Sequence, residues 1–173
     1  MGTLRKGNCY TNLTRAYTRK SKSKKKGFIK TIPPSKVVRF DTGDLKKQFN
    51  SRVELISKVP IQIRHNAIES ARLIVNRNLT KKIGANNYHL QINIYPHHIL
   101  RENKMISGAH ADRLQRGMQK SFGKPIGLAA QIRKGKTLFT AYVDKAHVET
   151  ARDALKKATP RLPGTCYIEI KAS

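Results

Sequence analysis

Acidic residues are scarce in this sequence. Ten Asp and Glu stand against 36 Lys and Arg, a formal net charge of +26 over 173 residues, and none precedes Asp41. Such an excess destabilises a compact chain by self-repulsion unless a polyanion neutralises it. Nucleic acid is therefore the leading partner, and an anionic membrane surface the second. A spanning segment is excluded, because no run of about 18 apolar residues occurs. The first thirty residues lack the apolar core of a secretory signal. They are Lys-rich and carry tyrosines, which fits an amphipathic transit peptide poorly. Cysteine is rare too, with only Cys9 and Cys166. Two cysteines so far apart make no disulfide framework, and without a Cys-x-x-Cys pair they suggest no zinc site. A reducing cytoplasm suits them. Tryptophan is absent and aromatic residues make up 6% of the chain.

The chain is long enough for one ordinary domain with a real core, plus a tail. Residues 1–35 read as that tail, with ten basic residues and no acid. The run SKSKKKG, Ser21 to Gly27, cannot bury apolar area and is expected to be disordered on its own. Tyr10 and Tyr17 lie among Arg5, Lys6, Arg15, Arg19 and Lys20. Cations bind phosphates and tyrosine rings stack on unpaired bases, a pairing that RNA-binding tails use. A merely solubilising tail is the alternative, and the lack of any acid argues for binding.

Pro33-Pro34 closes the tail, and residues 36–173 read as a single α+β domain. Val37, Val38 and Phe40 suggest a strand ending at Asp41-Thr42-Gly43, and Val53 to Val59 a second, stopped by Pro60. Asn66, with Glu69 three residues on, has capping-box spacing. Ile68, Ala71, Val75 and Leu79 then recur at helical spacing until Gly84, a left-handed cap. Tyr88 to Tyr95 alternates, with Leu90, Ile92 and Ile94 on one face, as a half-buried strand does. His98 to Leu100 is extended again. Leu128 to Ile132, the turn Lys134-Gly135 and Thr137 to Val143 together predict a hairpin. Asp144 is placed to cap a second helix with the stripe Val148, Ala151, Leu155 and Ala158, ended by Pro160. Cys166, Ile168 and Ile170 alternate in a closing strand, which points an inert Cys166 at the core. Two amphipathic helices against a mixed sheet make a two-layer fold.

One long connection interrupts this order. Arg101 to Gly127 carries six basic residues, two acids, four glycines and one proline, and it far exceeds the usual connection of two to six residues. A long basic loop on a folded scaffold is where function concentrates.

Other chemistries fit poorly. Ala130 to Thr137, AQIRKGKT, has the permissive phosphate-loop spacing, but that site needs a strand, a loop and then a helix, whereas Thr137 opens a strand. Gly117 to Lys124 is spaced one residue too long and has Pro125 where a magnesium-binding hydroxyl belongs. His97 and His98 are adjacent, so in a strand they point to opposite faces. His65, His89, His110 and His147 have no partner at ligand spacing. No Ser or Cys sits in a nucleophile elbow. Neither an enzyme, a metal nor a cofactor is expected. Arg39, Arg64, Arg72, Arg77, Lys81 and Lys82 lie mostly off the apolar stripes and extend the basic surface.

The stretch IYPHHILRENKMISGAHADRLQRGMQKSFGKPIGLAAQI resembles the large-subunit ribosomal protein family called L-sixteen in bacteria and L-ten-e in archaea and eukaryotes. NKM, GAHADRLQRGM and the FGKP-x-G phrase carry the resemblance, with Cys9-Tyr10, Tyr17-Thr18-Arg19-Lys20 and RFDTG. It covers about Gly7 to Lys171 and is nearest the archaeal form, because the chain stops near Ser173 without a further extension. The Lys/Ser-rich segment Ser21 to Lys26 departs from the family pattern.

The resemblance implies an α/β-hammerhead type of α+β fold and a structural component of the large subunit. The implied partners are large-subunit rRNA, tRNA at the aminoacyl and peptidyl sites, and neighbouring ribosomal proteins, with no membrane. The expected rRNA-binding residues are Arg5, Lys6, Tyr10, Arg15, Tyr17, Arg19, Lys20, Arg39, Arg64, Arg101, Lys120 and Lys124. The residues expected near tRNA and the peptidyl transferase centre are Asn103, Lys104, Met105, Ser107, Gly108, Ala109, His110, Ala111, Asp112, Arg113, Gln115 and Arg116. Ile106 to Ala111, with only His110 as a potential cation, is expected to be mobile and nearest tRNA. A free RNA chaperone or regulatory RNA-binding protein is the alternative from another class.

Overall fold

The computed structural model describes residues 5–18, 29, 31–104 and 123–172. Its strands are β1 Asp41–Gly43, β2 Ser51–Ser57, β3 Ile61–Arg64, β4 Tyr88–Ile92, β5 His98–Glu102, β6 Lys124–Ile132, β7 Thr137–Val143 and β8 Cys166–Ala172. The two α-helices are α1, His65–Ile83, and α2, Val148–Lys156. The α+β class with two helices is as expected. The β part divides into a five-stranded sheet, β1-β4-β7-β2-β8, and a three-stranded sheet, β3-β6-β5. Every pair described in them is antiparallel.

Helix α1 lies between the two sheets because its apolar stripe has helical period. Ile68, Ala71, Val75, Leu79 and Ile83 are all buried, and the same core takes Val53 and Leu55 of β2, Leu90 of β4 and Ile63 of β3. Burying each Val, Leu or Ile side chain stabilises by about 1.5–3 kcal/mol. Tyr88 then bolts β4 to α1. Its ring is buried, while its hydroxyl donates to Asn76 Oδ1 at 2.6 Å and lies 2.8 Å from Thr80 Oγ1. Helix α2 places Ala151, Ala154 and Leu155 in the same core, and Ala158 of the predicted stripe is buried with them.

Several local expectations are corrected. The predicted hairpin does not form, because β6 pairs with β3 and β5 while β7 pairs with β2 and β4. The turn exists, with Gly135 at φ 79°. However, Ser57 of β2 accepts from Gly135 N–H at 2.9 Å and donates to the Lys136 carbonyl at 3.1 Å. A turn dictates that the chain reverses, not which strand it meets; here β2 occupies the partner's place, and the chain passes from one sheet to the other.

The strand β3 lies just beyond Pro60, where the sequence suggested only a stop. It runs straight into α1, so Arg64 is the N-cap and the capping box at Asn66 is not used. Asn66 Oδ1 accepts only from the adjacent Ala67 N–H, at 3.0 Å. Glu69 takes Arg72 instead, in a two-pronged bond of 2.6 and 3.0 Å, which is stronger than a single backbone contact. Gly84 closes α1 at φ 88° but with an extended ψ of 158°, outside the left-handed helical basin. Asp144 precedes a 3-10 turn rather than capping α2, and its carboxylate receives Lys47 Nζ at 2.9 Å. The first strand pairs only over Asp41–Gly43, although Val37 before it is buried. Cys166 is half-buried against the core, and burial pushes its thiol pKa up, which suits an inert cysteine. Ile170 is half exposed, because β8 is an outer strand of its sheet.

Candidate nucleic-acid interface

The three-stranded sheet carries the N-terminal segment as a strap across it. Gln62 on β3 is the first anchor: its N–H donates to the Thr11 carbonyl at 3.0 Å, and its side chain donates to the Tyr10 carbonyl at 2.8 Å. Gln131 stands opposite Gln62 in the β3–β6 register and donates to Thr14 O at 2.8 Å and Gln62 Oε1 at 3.0 Å. At β5, His98 Nδ1 accepts from Tyr17 N–H at 2.7 Å, and Ile99 N–H donates to the Tyr17 carbonyl at 3.2 Å. Backbone groups of an irregular segment are thus satisfied by the sheet beneath, as buried polar groups require. Tyr17 also packs on Ile29, Ile99 and Leu128, a small apolar cluster of its own.

Arginines fasten the same strap. Arg64 donates to the Arg5 carbonyl at 2.9 Å and lies 5.2 Å from the Tyr10 ring centre. The Arg101 guanidinium sits 4.1 Å from the centre of the Tyr17 ring. Cation–π contacts of this kind contribute about 0.5–1 kcal/mol at exposed sites. Tyr10 and Tyr17, expected to meet bases, therefore present one ring face to the protein's own guanidinium groups.

The long connection starts beside this strap. Glu102 at the end of β5 pairs with Lys124 at the start of β6, so the two ends of the connection leave the sheet side by side. A Cβ on Gly123 would lie 2.9 Å from the backbone N and C of Glu102, so only glycine allows the strands to approach this closely. Arg5 reaches over to Glu102, with Nη1 3.4 Å from Oε1. A cleft of about 460 Å³ lies between strap and connection, lined by Tyr10, Thr14, Gln62, His98, Arg101, Asn103 and Gly123 among others.

Charge is sorted between the two sheets. Among the described acids, Glu102 alone stands on the three-stranded sheet. The rest lie on the five-stranded sheet, on the helices or beside them. There Glu54 meets Lys171 at 2.9 Å, Asp144 meets Lys47 at 2.9 Å and Asp41 meets His89 at 3.1 Å. Arg5, Lys6, Arg15, Arg101, Lys104 and Lys124 are exposed on or around the three-stranded sheet. Of the expected site residues, the fold brings Arg5, Lys6, Tyr10, Arg15, Tyr17, Arg64, Arg101, Asn103, Lys104 and Lys124 together on this side. Arg39 stands apart: it precedes Phe40, whose carbonyl accepts from Ile92 N–H at 2.8 Å beside the five-stranded sheet. Arg19, Lys20, Met105, Ser107, Gly108, Ala109, His110, Ala111, Asp112, Arg113, Gln115, Arg116 and Lys120 lie outside the described residues.

Sequence reading missed Gln62, Gln131, His98 and His65, which dock the N-terminal side. The available signal was a glutamine between two isoleucines in Ile61-Gln62-Ile63: Gln62 is only 4% exposed, and a buried amide needs partners. The Gly135-Lys136-Thr137 turn joins two strands, so the helix a phosphate loop needs does not follow it. Among the described residues there is no metal-binding cluster and no helix long and apolar enough to cross a membrane.

Two histidines accept from the N-terminal side as neutral imidazoles, His98 from Tyr17 and His65 from Lys36 N–H at 3.2 Å. Burial pushes both pKa values down; His97 and Arg101 add to this at His98, and Lys36 and Arg64 at His65. The folded state thus binds fewer protons than the unfolded chain. Its stability contribution is present above the unfolded value of about 6.5 and is lost as pH falls through the lower folded values. Amide exchange at Tyr17, corrected for intrinsic pH dependence, is expected to speed up between pH 7 and pH 5. Unchanged protection over that range contradicts the histidine anchor.

Comparison with known proteins finds relatives over nearly the whole chain. The family model described as ribosomal protein L16p/L10e matches residues 15–169. The large ribosomal subunit protein uL16 of Staphylothermus marinus is 44% identical, over 97% of this chain and 94% of its own length. Those of Methanospirillum hungatei and Methanococcus aeolicus are each 43% identical, over 97% and 96% of this chain and 96% and 94% of their own lengths.

Proposed function

The chain belongs to the ribosomal protein L16p/L10e family, and from that premise we propose that its three-stranded sheet and N-terminal strap dock on large-subunit rRNA. The protein is a structural constituent of the large ribosomal subunit rather than an enzyme, and it associates with rRNA and other ribosomal proteins. Within that role, docking sets the 105–122 connection toward tRNA in the aminoacyl site near the peptidyl transferase centre, and supports late subunit assembly. In this reading residues 1–35 act as an rRNA-binding extension of the 36–173 domain.

The observation that carries the reading is the sorting of charge. Arg5, Lys6, Arg15, Arg101, Lys104 and Lys124 surround the start of the connection, with Glu102 as the one described acid there. The reaction at the peptidyl transferase centre is carried by RNA, so the protein's task is phosphate neutralisation and positioning. Arginine suits it, because its planar fork grips phosphate in two-pronged fashion.

Binding through about six phosphate contacts falls roughly a thousandfold between 50 and 200 mM salt. Titrating purified chain onto large-subunit rRNA over that range is expected to give this steep dependence, together with co-sedimentation with subunits at moderate salt. A chain that binds many unrelated RNAs equally and never co-sediments is a free RNA chaperone instead.

A further inference from the structure

The five-stranded sheet carries an aromatic face that docking through the other sheet leaves unused. Phe40, just before β1, and Tyr95, three residues after β4, stack with ring centres 5.8 Å apart and planes 28° from parallel. Two constraints hold the pair. Ile92 N–H donates to the Phe40 carbonyl at 2.8 Å, and the buried Pro96 restricts the backbone of Tyr95. Tyr95 is nevertheless 61% exposed, so most of its surface meets solvent.

A shallow cleft of about 480 Å³ lies alongside, lined by Phe40, Gln91, Asn93, Tyr95 and Lys136 among others. The Asn93 side chain donates to Thr140 and the Gln91 side-chain oxygen accepts from Tyr142 at 3.3 Å. Both amides are oriented by these bonds, and each keeps hydrogen-bonding capacity to spare. Lys136 belongs to the exposed basic turn Arg133-Lys134-Gly135-Lys136. Among the described residues no acid lines the cleft. An exposed ring, two amides and a basic turn meet the three needs of an unpaired nucleotide: a stacking surface, edge partners and a cation for its phosphate. An apolar protein surface laid over Tyr95 would leave the basic turn without counter-charge.

We propose that this face binds an unpaired base of RNA, which stacks on Tyr95, turns its edge to Gln91 and Asn93 and sets a flanking phosphate at Lys136. It is a second RNA contact, on the five-stranded sheet, and it rests on the reading that RNA is the partner.

The test uses the full chain and a single-stranded RNA oligonucleotide carrying 2-aminopurine, at salt high enough to suppress phosphate-only binding. Stacking is expected to quench the probe. Tyr95→Ala is expected to bind about tenfold more weakly with little quenching, since one stacked base contributes about 1–3 kcal/mol. Tyr95→Phe should keep both properties, while Tyr95→Leu should behave like the alanine variant. Thermal unfolding should be unchanged in all three, because the side chain is exposed. The same proteins in large subunits, irradiated with ultraviolet light, should yield a nucleotide adduct on the peptide containing Tyr95. Equal binding and quenching by Tyr95→Ala, full binding by Tyr95→Leu, or an adduct joining that peptide to a protein would each overturn the proposal. If the unmodified chain also fails to bind large-subunit rRNA at low salt, the docking reading fails as well; if it binds rRNA there and Tyr95→Ala binds and quenches the oligonucleotide equally, only the Tyr95 contact fails.

Discussion

Replacing residues 105–122 with a two- or three-residue turn is expected to leave the protein in the large subunit while weakening tRNA binding at the aminoacyl site. The fold permits this deletion, because Glu102 and Lys124 already face each other across an antiparallel pair, and Asn103, Lys104 and Gly123 with the new turn make a connection of about five residues, a length that closes such strands. The described core is built from the two sheets and the two helices, so thermal stability should change little. Docking should also persist, since Arg5, Lys6, Arg15, Arg64, Arg101 and Lys124 all lie outside the deletion. Losing one or two charge-assisted hydrogen bonds to tRNA, each about 1.5–3 kcal/mol, corresponds to about a tenfold or greater loss in affinity. Sucrose-gradient co-sedimentation and filter binding of aminoacyl-tRNA to reconstituted subunits separate the two effects. If the shortened chain no longer enters the subunit, residues 105–122 are an anchor and the division of labour proposed for this protein is wrong.

Removing residues 1–18 should have the opposite result. It strips Arg5, Lys6 and Arg15 from the interface, and the log–log salt dependence of rRNA binding should become shallower by about three, one for each phosphate contact. The loss extends beyond charge. Gln62 and Gln131 lose their carbonyl partners at Tyr10, Thr11 and Thr14, and Ile99 and Leu128 lose the Tyr17 ring that packs on them. Leaving a buried polar group unpaired costs about 1–3 kcal/mol, so the three-stranded sheet should loosen as well. Co-sedimentation with subunits at moderate salt should disappear. Charge-neutral variants at Arg5, Lys6 and Arg15, which keep the strap's backbone, should show the shallower slope without the loosening seen by hydrogen exchange. Retention of the truncated chain in subunits at full affinity would remove the strap from the account.

The parts of this fold legible in the sequence are those where one face alone is buried. The stripe Ile68, Ala71, Val75 and Leu79 gave α1, and the alternation of Leu90, Ile92 and Ile94 gave β4. Strand β3 was hidden because its four residues follow Pro60 and run into a helix without a turn. The β6–β7 connection was misassigned because a glycine turn marks a reversal but carries no information about pairing partners, and Ser57, far away in sequence, takes the turn's backbone groups.

The docking of the N-terminal strap was invisible for a different reason. It is built from backbone carbonyls, two glutamines and a histidine, none of which has a sequence period. Composition marked residues 1–35 as basic, and that much pointed toward RNA. It did not reveal that Tyr10 and Tyr17 meet Arg64 and Arg101. Nor did it reveal that the described acids, Glu102 apart, gather away from the three-stranded sheet.

The central claim is that this sheet and its strap, not the helices, face rRNA. A reconstruction of the large subunit containing this chain, at side-chain detail, tests it most directly. The account predicts rRNA phosphates against Arg5, Arg15, Arg64 and Lys124, with the exposed side of α2 turned away from that contact. Phosphates gathered instead along Arg152, Lys156 and Lys157 of α2 and its end, with the strap facing solvent, would contradict it.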